Sequence, residues 1–307
     1  MMVKFSRYIM TAFVLFVFLE ANALANDTKP QIVVSIAPLK AILEEIVKDR
    51  AEVTKLLPAG ASPHTYAPKP SDVKKVQSAL LVFHFAHGID SWILKLPIKK
   101  AVEVIEFLPE NMRLPLIHGS HDHGHHGHDA HEEGKTEKEK YDAHFWTDPL
   151  AVKAVIPGIV EELCKVSANN CKLFESNAKV FMEKLDELND KLIKLTENVN
   201  RNAVLLSHPF FFYFLKRYKF VKQEVIEKIP GKQPTPKSLA KIFRFVKEEK
   251  VKTVFSLKQL SKKPAQIVAN STGVKTVEID PIGGTSELKT YEDIILKNAI
   301  LLVNGLK

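Results

Sequence analysis

From Cys171 to Asn200 the chain carries no Pro or Gly, and Phe174, Asn177, Phe181, Leu185, Leu188, Leu192 and Leu195 follow one another by three or four positions. With Leu173 beside them, these residues draw one apolar stripe interrupted only by Asn177, which predicts an amphipathic helix. Such a helix would run roughly 45 Å, several times the usual globular helix. The seam is not sustained as heptads beyond this segment, so a spine within one molecule fits better than one arm of a coiled coil.

On either side of this spine, short β-branched runs alternate with helical patterns. Before it, strands are expected at Gln31–Ile36, Val53–Leu57, Leu80–Phe85 and Val102–Phe107, with helices opened by Pro38 and by Ser71-Asp72 and another around Trp92. After it, strands are expected at Ala203–Leu206, Val221–Ile229, Val251–Leu257 and Val274–Ile279. Helices are expected from Pro209, from Ser238, at Pro264–Asn270 and at Tyr291–Leu302. Strand-helix alternation implies parallel sheets flanked by helices. The expected fold class is therefore α/β, with two lobes, 26–165 and 201–307, joined by the long helix 171–200.

Residues 1–25 stand apart. Lys4 and Arg7 precede an apolar run from Tyr8 to Leu19 that is short for a bilayer span, and Ala23-Leu24-Ala25 is a small-x-small cleavage signal. A cleaved signal peptide is expected, placing the mature chain in the periplasm, and no Cys lies near the cleavage point to carry a lipid anchor. The net charge of +8 is interleaved with acidic residues along helix faces, as in Lys247-Glu248-Glu249-Lys250, so no nucleic-acid partner is expected.

Cys164 and Cys171 are the only two cysteines. On one unbroken helix their Cα atoms would be about 10 Å apart, beyond the reach of a disulfide. Ser167-Ala168-Asn169-Asn170 supplies a break, and in an oxidising compartment a bridge is expected there. The alternative is a pair of free thiols packed at a helix junction.

Four side chains stand at strand or helix ends. His64 lies in the proline-rich loop PAGASPHTYAPKPSD, where a fixed backbone lowers the entropic cost of binding. His144 precedes Asp148-Pro149, a cap and opening for a helix kinked at Pro157-Gly158. His208 follows a strand, where open α/β sheets place their ligands. Asp280 ends the last strand before Pro281 and Gly283-Gly284; its alternative role is to cap that turn. Three imidazoles and a carboxylate make a tetrahedral set suited to zinc. His84 and His87, flanked by Phe83 and Phe85, read as packed or surface side chains. Between Ile117 and Tyr141 lie His118, His121, His123, His125, His126, His128 and His131, mixed with Gly, Asp and Glu. This composition predicts a flexible loop, 118–140, that collects metal weakly.

The segments PHTYAPKPSD (Pro63 to Asp72), DAHFWTDP (Asp142 to Pro149), SHPFFFYFLKRY (Ser207 to Tyr218) and IDPIGG (Ile279 to Gly284), in this order and with a His-rich loop between the first two, resemble the zinc-specific solute-binding proteins of ABC transporters, the ZnuA-like family. The resemblance runs over essentially the whole mature chain. It implies two α/β lobes on one rigid helix with the metal in the cleft, and places the family's three histidines on His64, His144 and His208. Manganese members carry Glu at the third of these positions. Pro63 excludes the Glu that some relatives use beside the first histidine, which leaves Asp280 or water for the fourth position. Phe85-Ala86 departs from the Asn-Gly usual after the third strand. The resemblance further implies a monomer that passes zinc to an inner-membrane permease with a cytoplasmic ATPase. The rival readings are a zinc buffer or adhesin without a permease, and a secreted zinc hydrolase. The hydrolase lacks HExxH and any obvious general base, so an enzyme is not expected.

Overall fold

A computed structural model describes residues 29–116, 141–199, 203–229 and 231–307. The expected signal peptide and the histidine-rich tract lie outside them.

The first half contains β1 (Gln31–Val34), α1 (Ala37–Val47), β2 (Glu52–Lys55), α2 (Pro70–Ser78), β3 (Leu81–His84) and β4 (Ala101–Glu103). All its strand pairs are parallel, in the order β2-β1-β3-β4. The second half repeats this plan with β5 (Ala203–Leu206), α5 (Phe212–Arg217), β6 (Lys222–Val225), α6 (Pro236–Glu248), β7 (Thr253–Leu257), α7 (Lys263–Thr272) and β8 (Lys275–Ile279), in the order β6-β5-β7-β8. The central strands β3 and β5 are buried at all four positions, as parallel strands covered on both faces must be. In each sheet the order reverses beside the first strand, so a ligand crevice is expected at the strand ends there.

Between the sheets lie α3 (Pro149–Val166) and the spine α4 (Cys171–Glu197); α8 (Tyr291–Leu306) ends the chain. The spine buries Phe174, Ala178, Phe181, Leu185, Leu188 and Leu192. It packs against α1 of the first half and α8 of the second. Asn177, the polar position in its stripe, donates from Nδ2 to the Ile46 carbonyl at 2.9 Å and so satisfies a free carbonyl near the end of α1. One apolar cluster runs through both halves, and a smaller one around Ile226, Ile242 and Val254 lies under α6 and α7. Cys164 and Cys171 form the expected disulfide across the turn between α3 and α4, with Cα atoms 4.8 Å apart.

Two expectations differ from the structure. The fourth strand of the first half stops at Glu103, and Val104–Phe107 is a 3-10 turn. Its apolar run reflects burial against α3, where the Phe107 ring lies so close to Gly158 that a Cβ there would meet it at 2.4 Å. After His208 the chain first makes a tight turn, with Phe210 N–H donating to the His208 carbonyl at 2.9 Å, and α5 begins only at Phe212.

Candidate metal centre

His64 lies in the loop after β2, with its Nδ1 3.2 Å from the carbonyl oxygen of Gly88. Gly88 follows β3 and has φ 93°, a left-handed conformation that glycine adopts without strain. His144 sits before the 3-10 turn Phe145–Thr147. The buried Asp142 accepts from both the His144 backbone N–H at 2.9 Å and its Nδ1 at 2.6 Å. His208, two residues beyond β5, directs Nδ1 at the Glu227 carbonyl at 3.3 Å.

Each of these Nδ1 partners is an oxygen that only accepts, so each ring carries its proton on Nδ1. In a neutral ring so oriented, Nε2 is the bare lone pair. The three rings meet with centroids 4.9 to 5.7 Å apart, and each can offer a donor atom such that all three atoms lie within 4.8 Å of one another. Nε2 of His64 and Nε2 of His208 are 3.2 Å apart. Lone pairs facing each other at that distance repel, and a cation between them turns the repulsion into coordination.

The electrostatics point the same way. Burial, reinforced by the neighbouring His144, lowers the pKa of His64 to about 4. Burial, with His64 and His144 next in order, holds His208 well below the usual histidine range. Both rings are therefore neutral at pH 7, the form that binds metal.

The segment carrying His144 is clamped by the second half. Asp148 caps α3 through Leu150 N–H at 2.9 Å and pairs with Arg217 at the end of α5, whose Nε lies 3.0 and 2.9 Å from the two carboxylate oxygens. Trp146 Nε1 donates to the Pro281 carbonyl at 3.0 Å, and the Tyr291 hydroxyl donates to the Trp146 carbonyl at 2.7 Å. The turn after β8 also comes so close to α1 that a Cβ on Gly284 would lie 2.7 Å from that of Ala37.

Asp280 stands outside the group of three imidazoles. Its Oδ1 accepts from Gly283 N–H at 2.8 Å and from Gln259 Nε2 at 2.5 Å, and Lys258 Nζ is 3.8 Å from Oδ2. The carboxylate thus caps its own turn. His84 is buried, and His87 pairs with Glu103 at 2.8 Å. Neither belongs to the three-imidazole group. The seven histidines between 118 and 131 lie outside the described residues. Sequence reasoning did not single out Asp142, although an acid two residues before a histidine, as in Asp142-Ala143-His144, is a local signal for such a bond. Gly88 and Glu227 act through backbone carbonyls and leave no side-chain signal.

A family model described as "ZnuA: Zinc-uptake complex component A periplasmic" matches residues 32–305. The high-affinity zinc uptake system protein ZnuA of Bacillus subtilis is 26% identical over 293 residues, 94% of this chain and 91% of that protein. The zinc-binding protein AdcA of Streptococcus pyogenes is 24% identical over 87% of this chain, which spans only 53% of AdcA. A crystal structure of a Zn(II)-bound AdcAII variant from Streptococcus pneumoniae superimposes with a TM-score of 0.76 at 27% identity, covering 91% of this chain and 99% of that one.

Proposed function

The chain belongs to the ZnuA family of periplasmic zinc-uptake components, and from that premise we propose that it captures Zn2+ on His64, His144 and His208 and delivers it to an inner-membrane permease powered by a cytoplasmic ATPase. It is the zinc-binding component of a zinc-uptake ABC system and not an enzyme. The observation that carries the ligand assignment is the convergence of the rings: each directs Nδ1 at an accepting oxygen of Gly88, Asp142 or Glu227, Nε2 of His64 and His208 are 3.2 Å apart, and one donor atom from each of the three rings lies within 4.8 Å of the others.

Residues 1–25 serve as a leader that is removed, and the mature chain works in the periplasm as a monomer without nucleic acid. The lobes 26–165 and 201–307 hold the ion between them, and the linking helix limits hinge closure, so release follows a small rotation of the lobes. The tract 118–140 adds weaker sites that raise the local zinc concentration near the cleft.

A strain lacking the gene should grow poorly under zinc chelation. Added zinc or the wild-type gene should restore growth, and the His208→Ala gene should not. Full restoration by His208→Ala would overturn the assignment.

A further inference from the structure

The strands flanking the reversal point of the second sheet, β5 and β7, end at Leu206 and Leu257. Two residues beyond those ends stand His208 and Gln259. A cavity of about 10 Å³ between the halves has Ser62, His64, His144, Trp146, Gln259 and Pro281 in its lining. That is room for a single atom the size of a water or a metal ion.

The orientation of the Gln259 amide follows from its partner. Asp280 Oδ1 is 2.5 Å from one terminal atom of Gln259 and also accepts from Gly283 N–H. An oxygen that accepts must face the amide nitrogen, so the carbonyl oxygen Oε1 points away from Asp280. Oε1 is buried and has no hydrogen-bond partner among the described residues. A buried, unpartnered carbonyl oxygen is costly, and a cation beside it removes that cost.

We propose that Gln259 supplies an oxygen as the fourth ligand to the metal held by His64, His144 and His208, and that Asp280 is its positioning residue; this rests on the three-histidine reading. Asp280 is held in turn by Asn298 of α8, which bonds its backbone N–H at 2.7 Å and its carbonyl at 2.9 Å. A neutral amide oxygen leaves the ion's charge less compensated than a carboxylate would, which weakens the hold on a cargo that must be handed on.

The test uses the full mature chain, with zinc affinity measured against a competing chelator and the visible spectrum recorded after loading one equivalent of cobalt(II). Gln259→Leu should weaken the tight site about ten- to a hundredfold and alter the cobalt spectrum. Gln259→Met, which keeps the volume and removes the oxygen, should do the same. Asp280→Asn should stay close to wild type, because its Oδ1 still accepts from Gln259 and Gly283. Asp280→Leu should match Gln259→Leu, and the double variant should be no worse than either. Wild-type affinity and spectrum in both Gln259 variants would overturn the proposal. So would an Asp280→Asn protein as weak as Asp280→Leu beside an unaffected Gln259→Leu, which would make Asp280 the ligand. His208→Ala is measured alongside; if it kept wild-type affinity, the three-histidine reading itself would fail.

Discussion

Asp142 holds His144 twice, accepting from its backbone N–H at 2.9 Å and from its ring Nδ1 at 2.6 Å. One carboxylate oxygen therefore sets both the position of the residue and the tautomer that bares Nε2. Such a carboxylate also makes the imidazole a better donor to a metal. Asp142→Ala should weaken zinc binding about ten- to a hundredfold while every proposed ligand remains in place. Affinity equal to wild type in a chelator competition would show that His144 needs no such support.

Arg217 and Asp148 join the two halves close to the site, and Asp148 is nearly buried while Arg217 is about a third exposed (6% and 32%). Removing the arginine strands a carboxylate that must also cap α3. Arg217→Ala should cost about 2 kcal/mol of stability, less than a fully buried pair because of that exposure. Urea denaturation measures it, and an unchanged midpoint would mean that the pair contributes nothing.

The Cys164–Cys171 bridge closes a loop of sequence separation 7 between α3 and α4. For so short a loop the stabilisation should be about 2 kcal/mol. A reduced and alkylated sample should melt at lower temperature with zinc affinity preserved, because neither cysteine lies in the three-imidazole group. Loss of zinc binding on reduction would tie the bridge to the site.

Without metal, stability should depend on pH through the site itself. His64 is held at about 4 in the folded chain by burial and by His144, whereas an unfolded histidine titrates near 6.5. Between these values the unfolded state binds the extra proton, so stability rises with pH across the window and is lost as pH falls through it. His208, shifted in the same direction, adds to the slope. Melting temperatures of the metal-free protein should fall from pH 7 to pH 4 more steeply than those of a His64→Ala, His208→Ala double variant. Parallel slopes would contradict the depressed values.

How far the chain could be read in advance depended on whether the signal was local. The stripe from Phe174 to Leu192 specifies its helix by spacing alone, and the observed α4 ends at Glu197, within three residues of the expected end. His144 and His208 could be picked out because caps and strand ends mark them within a few residues. Val104–Phe107 was misread because burial, and not pleating, made it apolar. Gln259 escaped notice because its meaning depends on Asp280, 21 residues away, and on a cavity shared with the first half. No pattern within one element encodes such a relation.

The central claim is that His64, His144 and His208 together form one tight zinc site. Calorimetric titration of the mature chain with zinc tests it most directly, carried out on wild type and on His64→Ala, His144→Ala and His208→Ala. Wild type should show one tight binding event, with weaker ones after it, and each substitution should abolish the tight event while leaving the weak ones. A substituted protein that still binds its first zinc as tightly as wild type would contradict the account.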